Sequence, residues 1–276
     1  MLNKIPIFLF VLYNWITNKN RGYKLTTKIA ITGKSGSGKT TITKSLLGVL
    51  REYFPEKSIL VLDNDLSSEF GHTYGLDIRN TIYGIRSGKH EYKTGIPQHM
   101  TKSEYVEWAI EDIIVSLDDY TDVIVSWFIG SKDCRCPITQ QINDAVIKLI
   151  NRYDFVLFDC EFDLKYLNQL VDTDIDLTLI IAKPTEESVH LAKRIEEFSA
   201  KYAAGGQMGV VLNKVQNENM NNVFNMLNRH DLEVLGCIPY DKELLNNTME
   251  RNSDVVKNAI KQFYSRLNLP QEMIWF

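Results

Sequence analysis

The sequence predicts an α/β fold in which a doubly wound, mostly parallel sheet carries helices on both faces. Short apolar runs alternate along the chain with segments of helical periodicity, and several runs end in aspartate, asparagine or glycine. Strands that read as continuous apolar runs are typical of parallel sheets covered on both sides. With 276 residues, 44% of them hydrophobic and 24% charged, the chain is long enough for one large domain of this class.

The N-terminus predicts an apolar extension, residues 1–27, outside a core domain that spans residues 28–276. Its apolar stretch runs from Ile5 to Ile16 between basic residues and is too short to cross a bilayer. It is open to interpretation as an appended helix, a surface helix or a signal segment, but no small-x-small cleavage site follows it. Contact between this extension and a membrane is an alternative that we do not favour.

The core domain begins with a strand, a glycine-rich loop and a helix. The apolar run at residues 29–31 leads into Gly33, Lys34, Ser35, Gly36, Ser37, Gly38, Lys39, Thr40 and Thr41. This is the pattern G-x-x-x-x-G-K-[ST], whose backbone N–H groups and helix N-terminus bind phosphate oxygens. The loop therefore predicts nucleoside triphosphate binding, with Lys39 neutralising the β- and γ-phosphates and the Thr40 hydroxyl holding Mg²⁺.

The next apolar run, residues 58–62, predicts a strand that ends in Asp63, Asn64 and Asp65. Either aspartate can face the phosphates, although Asp-Asn-Asp is also a good turn sequence. Residues 66–100 show little periodicity and predict an active-site insertion or a mobile segment. Thr101 and Glu104 then form a capping box, which predicts an amphipathic helix with apolar positions as far as Leu117.

The second half of the chain continues the alternation and supplies another carboxylate. A strand at 155–158 leads into Asp159, which either orders Mg²⁺ through a water or caps a helix. The remaining strands are predicted at 122–126, 177–181, 209–212 and 234–238, and the helices from Pro137, near 186–203 and 217–229, and at 255–267. Because the carboxyl ends of parallel strands meet at one edge, the loop, Asp63, Asp65 and Asp159 converge on one site.

Two lysines bear on how the nucleotide is used. Lys34 lies inside the loop, where it is either a solvated side chain or a group that reaches the phosphates bound by a partner subunit. Lys214 follows Asn213 after a strand, and this pair is similar to the Asn-Lys pair that reads a purine ring in many nucleotide-binding domains.

Cys134 and Cys136 precede the helix that starts at Pro137. Residues two apart in an extended chain point the same way, and the helix N-terminus favours thiolate, the metal-binding form. A closed soft-metal site takes four ligands, which two copies of the pair across a two-fold axis would supply. A redox thiol pair and two small loop residues are the alternatives.

Together these motifs resemble the CooC-type ATPases, the nickel-insertion maturation factors of carbon monoxide dehydrogenase, within the deviant Walker A group. The family loop reads G-K-G-G-x-G-K-T-T and its cysteine element reads C-x-C-P. N-K-V and G-x-I-P-Y match residues 213–215 and 236–240, so the resemblance runs from about residue 28 to residue 267. Its most specific element is C-x-C-P at residues 134–137.

The resemblance implies a homodimeric ATPase in which Lys34 acts across the subunit interface and Asp65 orients the attacking water. It also implies that Ni²⁺, with Zn²⁺ as the chemical alternative, lies between paired Cys134 and Cys136 and is delivered to a client nickel enzyme. Two departures matter: Ser35 replaces a family glycine, and the group's D-x-x-x-G glycine is absent after Asp159. The sequence therefore supports ATP binding more strongly than fast hydrolysis.

The composition of the chain excludes some classes of function and partner. A net charge of −4, a pI of about 5.8 and no Lys/Arg run argue against a nucleic-acid partner. Four unevenly placed cysteines argue against a disulfide framework, so with ATP use we expect a cytoplasmic protein. The alternatives are a membrane- or partner-positioning ATPase, a small-metabolite kinase and a reductase component with a bridging iron–sulfur cluster.

Overall fold

The computed structural model describes residues 26–65, 69–76, 80–87, 96–126, 137–160, 175–202, 206–216, 225–227, 229–232 and 234–240. Its strands are β1 (Thr27–Gly33), β2 (Ile59–Asn64), β3 (Val115–Asp118), β4 (Thr121–Val125), β5 (Phe155–Cys160), β6 (Leu177–Ala182), β7 (Gln207–Val215) and β8 (Val234–Pro239). Its helices are α1 (Lys39–Tyr53), α2 (Glu69–Thr73), α3 (Ile82–Arg86), α4 (Lys102–Asp112), α5 (Pro137–Ile150) and α6 (Glu186–Tyr202).

The strands form one sheet in the order β3-β4-β2-β5-β1-β6-β7-β8. Among the described residues, every neighbouring pair is parallel except β3 with β4. This confirms the predicted α/β class with a mostly parallel sheet. β1 lies between β5 and β6, so the glycine loop leaves the centre of the sheet at its carboxyl edge.

Helices cover both faces of the sheet, and alternate residues of β1 enter opposite cores. Ile29 and Ile31 pack in the cluster that includes Leu46 of α1 and Phe70 of α2. Ala30 belongs to the cluster on the other face, with side chains of α3, α4, α5 and α6. This two-sided burial is why the strand segments read as continuous apolar runs in the sequence.

One predicted helix is too long. The capping box of Thr101 and Glu104 forms as predicted, but α4 ends at Asp112, and Ile113 is its C-cap. The chain then forms β3, which pairs antiparallel with β4 at the edge of the sheet, so the assignment of Leu117 to the helix is wrong. Half-buried and exposed residues alternate along β3. Because the strand has only four residues, this alternation is too short to be distinguished from the helical pattern that precedes it.

In the described part of segment 66–100, two short helices contribute to the core. Phe70 of α2 and Ile82 and Ile85 of α3 are fully buried, and the Thr81 hydroxyl caps α3 by accepting a hydrogen bond from the Gly84 N–H. Helices of five residues show little periodicity in a sequence, which is why the pattern predicted an active-site insertion or a mobile segment here.

Several predictions fall outside the described residues. These are the extension up to residue 25, the pair Cys134 and Cys136, and the last helix at 255–267. Residues 225–227 and 229–230 are helical where the predicted helix at 217–229 ends, and residues 217–224 are outside the description. No helix in the described part of the chain is long and apolar enough to cross a membrane.

Candidate nucleotide and magnesium site

The glycine loop connects the last residue of β1, Gly33, to the first turn of α1. The Ser37 N–H donates to the Lys34 carbonyl oxygen at 3.0 Å and closes the turn. Lys39 and Thr40 follow in the first helical turn, where both side chains are buried. The buried Ser37 hydroxyl has no hydrogen-bond partner within the described residues, which leaves it available to a phosphate oxygen. The loop therefore has the strand–loop–helix geometry that phosphate binding requires.

Gly38 is a position at which the loop tolerates no side chain. It is the N-cap of α1 and has φ of 98°, a left-handed conformation that L side chains rarely adopt. A Cβ atom at this position would lie 2.3 Å from the Asn213 Nδ2 atom. The loop and β7 are thus packed against each other through this glycine.

Asn213 and Lys214 bind the loop backbone from the end of β7. Asn213 Nδ2 donates to the Ser37 carbonyl oxygen at 2.8 Å, and Lys214 Nζ donates to the Gly36 carbonyl oxygen at 3.2 Å. The Lys214 N–H in turn donates to Asn213 Oδ1 at 2.9 Å, with Lys214 at φ 63°. The structure therefore places both residues of the predicted base-reading pair at the loop, where they also hold its shape.

Asp63 and Asp159 form a buried acidic pair on neighbouring strands. They stand in register on β2 and β5, and both are fully buried. Asp63 accepts hydrogen bonds from the N–H groups of Asp65, at 3.1 Å, and Gly71, at 3.2 Å. Neither Asp159 oxygen accepts a hydrogen bond of standard geometry from the described residues, although the Thr40 hydroxyl is near enough to favour its charged form.

Burial raises the pKa of Asp63 to about 6, against the effect of its two backbone hydrogen bonds. Burial, together with the negative charge of Asp63, raises the pKa of Asp159 to about 7, while Thr40 and Lys39 act in the opposite direction. Two adjacent buried carboxylates, one without hydrogen bonds, are stabilised by a cation, and hard oxygen donors match Mg²⁺. Thr40, Asp63 and Asp159 therefore fit the magnesium ion that the loop implies.

Within the described residues, no three His, Cys, Asp or Glu side chains form a group that could hold a metal by themselves. This finding does not bear on Mg²⁺, which one or two carboxylates can hold together with phosphate oxygens and waters. It leaves the predicted cysteine site untested, because Cys134 and Cys136 are outside the described residues. Cys160 is fully buried next to Asp159, and burial raises its thiol pKa.

The catalytic residues predicted from the loop and β2 lie at the same edge. Asp65 directly follows β2 and donates its N–H to Asp63. Lys34 forms an ion pair with Glu187, in the first turn of α6 of the same chain, and its side chain is 36% exposed. Lys34 is thus at the surface of the loop rather than inside the nucleotide cradle.

The sequence pattern did not indicate Lys183 and Glu187, which also lie at this edge of the sheet. The Lys183 Nζ atom lies 3.5 Å from the position that a Cβ on Gly36 would take. Both residues follow β6, the strand that borders β1. Both residues could have been recognised as site residues because they follow a predicted strand. That inference also requires knowing that this strand lies next to β1, and the sequence pattern does not give the strand order.

Comparison with known proteins agrees with this geometry. A family model described as "CobQ/CobB/MinD/ParA nucleotide binding domain" matches residues 28–254. The chain belongs to this family. A protein of Methanocaldococcus jannaschii described as an uncharacterized ATP-binding protein is 30% identical over 219 residues, which are 78% of this chain and 85% of that relative.

Solved structures of the same architecture are similar over most of the chain. The MinD cell division protein of Aquifex aeolicus has a TM-score of 0.59 at 19% identity, covering 88% of this chain and 99% of its own. The septum site-determining protein MinD of Pyrococcus horikoshii, complexed with Mg-ADP, has a TM-score of 0.55 at 17% identity, covering 88% and 96%. At these identities the likeness shows the fold alone. Family membership makes the chain a protein of the CobQ/CobB/MinD/ParA nucleotide-binding group.

Proposed function

We propose that the chain is a Mg²⁺-dependent ATPase that binds the triphosphate along residues 33–41. The observation that carries this proposal is the buried pair Asp63 and Asp159, which lies beside Thr40. Such a pair is costly to bury without a cation, and its position at the carboxyl edge matches the place where α/β proteins bind ligands.

Each residue of the site has a role in this reaction. The N–H groups of the loop and the Lys39 ammonium group would bind the phosphates, and Thr40, Asp63 and Asp159 would hold Mg²⁺. Mg²⁺ held by these residues would neutralise the negative charge of the phosphates. Asp65 would orient the water, whose oxygen bonds to the γ-phosphorus as the bond to the β,γ-bridging oxygen breaks, giving ADP and inorganic phosphate.

Calorimetric titration with ATP, in the presence and absence of Mg²⁺, tests the metal dependence. We expect Thr40→Val to weaken Mg²⁺-dependent ATP binding about tenfold or more, because it removes one ligand of the ion. Thr178→Val, at a buried threonine of β6, is the matched control and should bind like the parent protein. Equal affinity with and without Mg²⁺ in the parent protein would refute the proposed site.

We further propose that two copies pair across their loops and that Lys34 acts on the nucleotide of the partner subunit. Its surface position and its exchangeable ion pair with Glu187 support this role. The hydrolysis rate per subunit should then rise with protein concentration. Lys34→Ala should bind ATP normally and lose that concentration dependence, whereas a rate that is independent of concentration in the parent protein would contradict the proposal.

The cargo proposal rests on the C-x-C-P element and its resemblance to CooC-type proteins. We propose that paired Cys134 and Cys136 carry Ni²⁺, with Zn²⁺ as the competing ion, to a nickel enzyme such as carbon monoxide dehydrogenase. A cytoplasmic location would keep these thiols reduced and supply ATP. Metal content per dimer should fall when both cysteines are replaced by serine, and Cys237→Ser, at a buried cysteine, is the control. Unchanged metal content in the double variant would refute the cargo site.

A positioning ATPase that cycles on and off a membrane or partner is the second candidate. The shared fold with MinD proteins is compatible with it, as is the apolar extension at residues 1–27. ATP-dependent sedimentation with liposomes, lost on deletion of residues 1–27, would favour this function over metal delivery. The absence of a basic run still argues against a nucleic-acid partner.

A further inference from the structure

Lys44 has no part in the roles assigned above, yet it lies on the face of α1 that carries the magnesium ligand. Thr40 and Lys44 are four residues apart, so their side chains lie one turn from each other on the same face of the helix. The Lys44 Nζ atom donates a hydrogen bond to the Thr73 hydroxyl of α2. A lysine on the loop helix is thus attached to the segment that follows β2.

The charges around Lys44 are those of the proposed metal site. Burial lowers the pKa of the Lys44 ammonium group, while the negative charges of Asp159, Glu69 and Asp63 act in the opposite direction. The Lys44 ammonium group is therefore within electrostatic range of both buried aspartates. Because it is half-buried, its interaction with a nearby divalent cation is less screened than that between exposed charges.

α2 is attached to the same site by a second contact, in which the charged group is a carboxylate instead of an ammonium group. The Gly71 N–H donates to Asp63 Oδ2 at 3.2 Å, and the other oxygen of that carboxylate accepts from the Asp65 N–H at 3.1 Å. The middle residue of α2 is thus held by a proposed magnesium ligand, and its last residue is held by Lys44. A change of charge at the site acts on both contacts.

We propose that Lys44 is a positioning residue that couples the magnesium site to α2: its ammonium group and Mg²⁺ repel each other, so that magnesium binding weakens the contact between Lys44 and Thr73. This inference rests on the magnesium site of the proposed function. It adds that magnesium binding changes the contacts of residues 69–73, which follow the proposed catalytic residue Asp65 in the chain.

The test measures the Mg²⁺ concentration at which half of the protein binds ATP. We expect Lys44→Met to lower this midpoint about three- to tenfold, because a repelling charge has been removed. Lys44→Arg keeps the charge and should stay within about twofold of the parent protein. Lys57→Met removes an exposed charge that pairs with Asp154 near the amino end of β5 and should have no effect on the midpoint.

Hydrogen exchange of the amides at residues 69–73 supplies a readout besides nucleotide binding. Mg-ATP should raise exchange there in the parent protein, whereas in Lys44→Met exchange should be raised already without Mg-ATP. Thr73→Val removes the contact but keeps the charge, so it should raise exchange. Because the coupling is reciprocal, it should also lower the Mg²⁺ midpoint, but by less than Lys44→Met does. This second variant also tests the coupling if Lys44→Met does not fold.

Two results would overturn the inference: a Lys44→Met midpoint equal to that of Lys57→Met, or unaltered exchange at residues 69–73 in Thr73→Val. A purely structural role for Lys44 would move the exchange but would not lower the Mg²⁺ midpoint. If the parent protein itself binds ATP without regard to Mg²⁺, the proposed function fails, and this failure is distinct from that of the coupling.

Discussion

Asp154 and Asp159 lie at opposite ends of β5 and differ in almost every physical respect. Asp154 accepts hydrogen bonds from the Ser58 N–H and hydroxyl, both at 3.0 Å, and pairs with Lys57 at 3.1 Å. Partial burial raises the pKa of Asp154, but the bonds from Ser58 and Lys57 outweigh it and lower the pKa below its usual value. Asp159 is fully buried beside a second carboxylate, and its pKa is raised to about 7.

The difference between the two aspartates indicates that the amino edge of the sheet serves stability and the carboxyl edge serves function. At the amino edge, a carboxylate with a full set of partners joins β5 to the residues before β2 and stabilises the fold. At the carboxyl edge, a carboxylate without such partners destabilises the fold until a cation is supplied. The aspartate that the local structure satisfies least is therefore the better marker of the functional site.

The largest expected effect comes from Asp159→Asn. It should lower the ATP hydrolysis rate about 100-fold, because it removes a proposed magnesium ligand, and should leave the fold intact. Asp154→Asn is the matched control and should give the reverse pattern. It should leave hydrolysis within about twofold and lower the free energy of unfolding by about 1–2 kcal/mol through lost hydrogen bonds. Steady-state phosphate release and urea unfolding measure the two quantities. A similar loss of activity in both variants would remove the distinction between the edges.

Gly38→Ala should weaken ATP binding about tenfold or more, because it combines a strained φ with a contact of 2.3 Å to Asn213 Nδ2. Gly75→Ala is its control, since Gly75 also has a positive φ, 65°, but nothing lies within 4 Å of an added Cβ. Binding of a fluorescent ATP analogue would compare the two. Equal weakening in both variants would assign the effect to backbone strain rather than to packing of the loop against β7.

Without Mg²⁺ and nucleotide, the free energy of unfolding should decrease as pH rises from about 4 to about 7. In that window the folded chain binds more protons than the unfolded chain, because the pKa of Asp63 is raised to about 6 and that of Asp159 to about 7. Asp159→Asn should flatten the profile in urea unfolding measured across this range. Stability that rises over the same interval in the parent protein would contradict the buried acidic pair.

The smallest effect is expected at the exposed ion pair of Lys34 and Glu187. Glu187→Gln should change the thermal midpoint by no more than about 1 °C, because exposed ion pairs contribute little to stability. It should raise the concentration-dependent hydrolysis rate up to about twofold, since Lys34 no longer has a partner in its own chain. Glu186→Gln, next to it on α6, is the control. A lower rate in Glu187→Gln would indicate that Glu187 supports Lys34 instead of competing for it.

The sequence predicted the elements that a local motif or a repeated apolar pattern determines. Apolar runs located seven of the eight strands, and the order of glycines, lysine and threonine located the phosphate loop. β3 was missed because an edge strand of four residues depends on its pairing with β4 rather than on its own pattern. Asp63 and Asp159 were found because both follow apolar runs, although nothing local indicates that they stand side by side.

The contacts that refine the site depend on strand and helix order. Glu187 meets Lys34 because β6 borders β1, and Lys44 meets Thr73 because α2 packs next to α1. Such neighbours are far apart along the chain and share no spacing rule. The roles proposed for Cys134 and Cys136 rest on the sequence alone, since both lie outside the described residues.

The central place of β1 has a consequence for how the protein is made. Thr27 of β1 pairs with Phe155 of β5, and Ile29 pairs with Leu177 of β6. A nascent chain that ends before β5 therefore lacks both neighbours of the strand from which the phosphate loop extends, and one that ends before β6 still lacks one of them. Such distant pairings form late because closing long loops costs entropy. During synthesis, we therefore expect the phosphate loop to gain its nucleotide-binding shape only after β6 has been translated.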